Sequence, residues 1–248
     1  MSKWLNNLYE KSELNFALVW IGIYCIANSL SNPISEAIGM DSSAAFVFNA
    51  ILTITLYLWI KRKGLMEYYG LCGSNVPAAR FLWYLPLIPF MSRNLWLGFS
   101  INLPAADTVC YILCMLCVGF LEEVIFRGFL FKALAKDNVK SAIIISSVTF
   151  GLGHILNLFN GSGMELIENI CQVAGAIACG FLFVIIFYRG GSLIPCIIAH
   201  SVNNAVSVFA NEAALTDEIQ LLLSAVNMAI VIVYAIVLCR TLPNKMEE

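Results

Sequence analysis

The sequence predicts an all-α, polytopic membrane protein of about eight transmembrane helices, and three observations predict it. Apolar residues make up 60% of the 248 and charged residues 12%, about half the charged share of an ordinary soluble domain, roughly 25%. Apolar stretches approaching the roughly 20 residues that a bilayer crossing needs recur along the whole chain. Lysine and arginine fall almost entirely in alternate connectors, the asymmetry that sets orientation in a membrane.

In chain order the stretches are 13–31, 43–61, 80–98, 107–130, 141–159, 169–188, 192–210 and 217–239. The first follows a polar start with Lys3 and Lys11 and lacks a small-x-small cleavage site, so it reads as a retained helix. The third contains Pro86 and Pro89, which should kink it. The fourth is long and continues as an amphipathic extension from Phe131 to Lys136. The connector from Lys63 to Ala79 is the longest on the basic side, with Glu67, Tyr68 and Tyr69 expected at the interface.

With the N-terminus in the cytosol, Lys3, Lys11, Lys61, Arg62, Lys63, Arg80, Lys132, Lys136, Lys140, Arg189, Arg240 and Lys245 all fall at cytosolic ends. Connectors 32–42, 99–106, 160–168 and 211–216 contain neither lysine nor arginine. Arg93 alone is out of place. Both termini are expected in the cytosol, and residues 1–248 are expected to form a single integral-membrane domain. A net charge of −2 without a basic stripe excludes a nucleic-acid partner; membrane lipids are the implied surroundings. The nine cysteines are scattered through apolar runs and imply no disulfide framework. Cys114 and Cys117 match a redox spacing, but mid-helix and without a βαβ context.

Against this background the ionisable groups inside apolar stretches stand out, because at membrane depth they are costly and by default functional. Glu123 and Arg127 are four apart and share a helix face, so they can pair. Glu122 is rotated about 100° away and is left as a general-base candidate. Phe150 shares a face with His154, and His200 with Asn204, whose amide donor beside an imidazole suits an oxyanion site. At about 1.5 Å per residue, Glu122 and His154 each lie roughly 20 Å, and His200 about 12 Å, from the cytosolic ends of their helices. The three can meet, enclosing an intramembrane catalytic cavity. An interfacial helix end would also explain Arg127, and a lone membrane histidine often serves only as an interhelical hydrogen-bond partner.

The motifs Glu-Glu-x-x-x-Arg, Phe-x-x-x-His and His-x-x-x-Asn, in this order on successive helices, resemble those of the CAAX protease and bacteriocin-processing (CPBP) family. These are intramembrane endopeptidases related to the CAAX prenyl protease type 2. The resemblance implies that Glu122, with His154, holds and deprotonates a water. It implies that His200 and Asn204 stabilise the oxyanion, that Glu123 and Arg127 orient these groups, and that Phe150 packs behind His154. Substrates would be membrane-associated proteins or peptide precursors of CAAX, pheromone or bacteriocin type, lipidated substrates among them. The short chain without accessory domains resembles a prokaryotic member, which would place it in a plasma membrane. No cofactor is expected; a zinc site formed by Glu122, His154 and His200 is the alternative. A non-catalytic scaffold or bacteriocin self-immunity protein, and a proton-coupled transporter, are the competing classes. Oligomeric state is left open, with Gly175, Ala176 and Gly180 able to pack a helix closely within the chain or across a dimer.

Overall fold

A computed structural model describes residues 3–159 and 165–243. Among the described residues, six helices are long and apolar enough to cross a membrane: Glu13–Ile38, Ser43–Arg62, Ala105–Ala135, Val139–Leu158, Leu166–Gly190 and Asp217–Thr241. We label the α-helices α1 (Lys3–Lys11), α2 (Glu13–Ile38), α3 (Ser43–Arg62), α4 (Leu87–Ser92), α5 (Ala105–Glu122), α6 (Lys132–Ala135), α7 (Val139–Gly153), α8 (Leu166–Gly190), α9 (Ile194–Val206) and α10 (Asp217–Thr241). The fold is all-α and polytopic, and large apolar side chains such as Ile26, Ile51, Ile54, Val233 and Ile236 face outward, as lipid-facing residues must.

Two of the eight expected spans differ. The 80–98 stretch is not one helix but a 3₁₀ segment (Ala78–Tyr84), the short α4 and a 3₁₀ turn (Arg93–Leu95). Pro86 and Pro89 interrupt it as expected, but the larger break is at Leu82, Trp83 and Tyr84, whose φ angles of 51°, 55° and 57° lie in the left-handed region. The 192–210 stretch is the short apolar segment Ile194–Phe209. Its α-helical part, α9, has 13 residues, about 20 Å at 1.5 Å each, which reaches only part-way through a core of roughly 30 Å.

The Ala105–Ala135 span is α-helical at both ends and a π-helix from Glu123 to Phe131, with all nine π residues buried. A π turn removes carbonyls from the α-helical bonding pattern. One is recovered from outside: the Ser146 hydroxyl on α7 donates to the Phe126 carbonyl at 2.8 Å. On one side, Phe129 packs edge-on to Phe16 and Tyr69, with Phe16 stacked on Trp59. Tyr69 is therefore core, 1% exposed, rather than interfacial; its neighbour Tyr68 donates to Glu13 at 3.3 Å.

Close helix approach is built on small residues. A Cβ on Gly119 of α5 would lie 2.7 Å from the Ser201 nitrogen of α9 and nearer still to its hydroxyl. Gly151 meets Ile177, and Gly180 meets the Ser147 backbone, locking α7 to α8. Gly180 is thus used within the chain, while Gly153 and Gly175 have open space. All nine cysteines are free thiols.

Basic residues gather at one end. Lys63 pairs with Glu10 and Lys136 with Glu13, Arg80 donates to the Thr241 carbonyl and Arg189 to that of Leu242. The same end joins the 70–75 loop to the 190–193 turn through Ser74 to Gly190 and Leu193 to Gly70 bonds. The opposite end is closed by an isolated bridge between Phe99 and Ala210 and by Asn102 donating to the Val208 and Ala210 carbonyls. Lys245 and residues 160–164 lie outside the described residues.

Candidate active site

Glu122 ends α5 and Glu123 opens the π segment, so both project from the best-buried part of the longest span. Glu123 is fully buried, and its Oε1 receives two partners: Arg127 Nη1 at 3.0 Å and His200 Nδ1 at 2.8 Å. Arg127 is also fully buried, with its guanidinium carbon 3.9 Å from the centre of the Phe150 ring. That cation–π contact matters because Arg127 Nε and Nη2, like Glu123 Oε2, have no hydrogen-bond partner among the described residues. The i,i+4 pair anticipated from sequence is present.

The His200 ring lies between the two carboxylates. Its Nδ1 faces Glu123 and its Nε2 lies 3.3 Å from Glu122 Oε2. Which nitrogen carries a proton follows from the partner the other keeps; with Nδ1–H donated to Glu123, Nε2 faces Glu122. α9 holds the ring at this height because Gly119 lets α5 approach Ser201, whose hydroxyl donates to the Leu116 carbonyl. Phe150 and Phe183 wall the ring, with centroids 5.8 and 6.2 Å away.

Glu122 has different surroundings. Its side chain is 12% exposed, and Oε1 accepts a 2.7 Å hydrogen bond from the Tyr24 hydroxyl of α2. Tyr24 was missed in the sequence, where it is one aromatic among many in an apolar run 98 residues from its partner. Apolar placement plus a buried hydroxyl was its only available signal.

His154 stands apart. α7 ends at Gly153, so His154 opens a 3₁₀ turn. Its Nδ1 is 3.2 Å from the Phe150 carbonyl, its ring meets Phe150 edge-on at 5.1 Å, and Asn169 donates to its carbonyl at 2.7 Å. No hydrogen bond joins it to Glu122 among the described residues. Asn204 lies one turn beyond His200 on α9, where its Oδ1 accepts from Asn203 at 3.2 Å and its backbone carbonyl from Ser207 at 2.7 Å. The fold therefore brings Glu122, Glu123, Arg127, Phe150 and His200 together, with His154 and Asn204 at the margin.

Residues 104–206 match the family model described as type II CAAX prenyl endopeptidase, Rce1-like. That segment runs from the start of α5 to the end of α9 and carries all three motifs. Over this segment the chain resembles the Rce1-like family. The family is one of CAAX-type proteases, so a peptide or protein substrate and a hydrolase reading follow at that level. No curated protein and no solved structure matches the chain. Tyr24 and Arg93 lie outside the matched segment.

The zinc alternative does not fit this arrangement. Among the described residues no three His, Cys, Asp or Glu side chains are grouped to hold a metal ion. Of the three candidate ligands, Glu122 and His200 approach each other, while His154 turns its Nδ1 to a backbone carbonyl.

Proposed function

We propose that this chain is an intramembrane glutamate-dependent endopeptidase of a prokaryotic plasma membrane. In this reading it hydrolyses peptide bonds in membrane-associated proteins or peptide precursors. The observation that carries the reading is the His200 imidazole held between adjacent carboxylates, one sealed by Arg127 and the other partly open beside Tyr24. Glu122 takes a proton from water, and the hydroxide formed attacks the scissile carbonyl carbon. The oxyanion accepts hydrogen bonds from the Asn204 amide and from His200 Nε2–H, the imidazole then carrying a proton on each nitrogen. On collapse the C–N bond breaks and Glu122 returns its proton to the leaving amine. Glu123 and Arg127 keep His200 oriented, Tyr24 holds Glu122, and His154, backed by Phe150, presents its Nε2 to the water. No covalent acyl intermediate and no metal-borne step enters this scheme.

The cation-rich end supports a topology with N- and C-termini in the cytosol. The test is cleavage of prenylated and unprenylated fluorogenic peptides, including pheromone- and bacteriocin-leader types, by purified protein in detergent. Cleavage insensitive to chelator and lost in Glu122→Ala, His154→Ala and His200→Ala variants is the expected result. Full cleavage by all three variants would sink the reading and favour a scaffold or immunity protein. Loss to chelator with rescue by zinc would replace the metal-free scheme.

A further inference from the structure

Arg93 is the one cation that the basic-end pattern leaves unexplained, and its surroundings differ from those of the other arginine inside the bundle. Arg127 is paired with Glu123 at 3.0 Å. Arg93 takes part in no ion pair among the described residues; its Nη2 donates to the Ser224 hydroxyl at 3.0 Å. Ser224 lies seven residues along α10 from Asp217, about 10 Å inside that end. An arginine at such depth outside any ion pair is costly and marks a functional site, although the Glu168 carboxylate lines the same pocket.

Arg93 lines a pocket of about 160 Å³ together with Asn94, Asn211, Gln220 and Glu168. The neutral amides can donate or accept, and Glu168, in the first turn of α8, can accept from a peptide N–H. The pocket is tied to α9, the helix of His200: Asn94 donates to the Asn203 carbonyl at 2.9 Å, one residue from Asn204. The planar fork of arginine N–H donors matches a carboxylate in two-point contact.

We propose that this pocket is a carboxylate-binding subsite in which Arg93 receives a carboxylate of the bound peptide, from its C-terminus or from an acidic side chain. The proposal rests on the endopeptidase reading for the identity of its ligand. A phospholipid headgroup is disfavoured as the occupant because its phosphate would have to descend about 10 Å below the helix end to reach the level of Ser224.

The test uses full-length Glu122→Gln protein in detergent and a pool of synthetic peptides sharing one core, prenylated and unprenylated. Each core is made as a free acid, as an amide, and as an amide carrying one glutamate; retained peptides are quantified by mass spectrometry. One or both carboxylate-bearing forms should be enriched roughly tenfold or more over the neutral amide, and which form is enriched identifies the source. Arg93→Gln should bring the ratio to about one, Arg93→Lys should keep part of it, and Glu168→Gln should raise it. Unfolding midpoints, with Ser224→Ala as a control for the lost contact, separate binding from misfolding. A ratio near one, no retention of any peptide, enrichment that survives Arg93→Gln, or enrichment abolished by phosphatidylglycerol micelles would overturn the proposal. Wild-type cleavage is measured in parallel. Retention with carboxylate preference but no cleavage would count against the endopeptidase alone, and equal cleavage of all forms against the subsite alone.

Discussion

Glu122 and Glu123 are neighbours on one helix, yet they occupy opposite kinds of environment. Glu123 is sealed: zero exposure, an arginine and a histidine on one oxygen, and Phe150 covering the arginine. Glu122 is partly open, held by one tyrosine hydroxyl and facing the second nitrogen of the same histidine. In the proposed mechanism two identical side chains are divided between keeping geometry and doing chemistry. Charge pairing sets the division: a buried carboxylate without a partner is prohibitively expensive, and the single Arg127 can neutralise one of the two.

The contrast is broken most severely from the sealed side. Glu123→Gln leaves the Arg127 guanidinium in an apolar interior without its counter-ion and should cost about 3–5 kcal/mol, read as a large fall in the unfolding midpoint in detergent. Gly119→Ala comes next. Its methyl group would press on Ser201, costing about 1–3 kcal/mol and displacing His200 from both carboxylates, so activity and stability should fall together. On the open side, Tyr24→Phe removes the donor to Glu122 Oε1. A bond to a charged group of about 1.5 kcal/mol corresponds to roughly tenfold in rate, with little change in the midpoint. Smallest is Ser146→Ala, which strands the Phe126 carbonyl of the π segment at about 1 kcal/mol, measurable by thermal unfolding.

What the sequence made legible follows from its local periodicities. The Glu123–Arg127 and Phe150–His154 contacts are one-turn relations that need no tertiary knowledge, and both are present. Counting rise along each helix put Glu122 and His200 at similar levels, roughly 20 and 12 Å from their cytosolic ends, and they lie 3.3 Å apart. Rotation of one helix about another is not written in such counts. Whether His200 meets Glu123 depends on the Gly119–Ser201 contact, and whether Glu122 finds Tyr24 depends on how α2 lies against α5. α7 stops one residue before His154, and the His154 Nδ1 turns to the Phe150 carbonyl rather than to Glu122. The third and seventh stretches counted as full spans because hydropathy measures apolar length and not backbone continuity; left-handed residues at 82–84 and the 13-residue α9 show the difference.

The division of labour between the two glutamates is tested most directly by measuring rate and stability on Glu122→Gln and Glu123→Gln side by side. Each is purified in the same detergent, with cleavage of one validated peptide and the unfolding midpoint recorded for both. The account predicts that Glu122→Gln keeps the wild-type midpoint and loses about 10²–10⁴ in kcat, whereas Glu123→Gln loses the midpoint first. A Glu122→Gln protein that cleaves at the wild-type rate, or whose stability falls as far as that of Glu123→Gln, would contradict it.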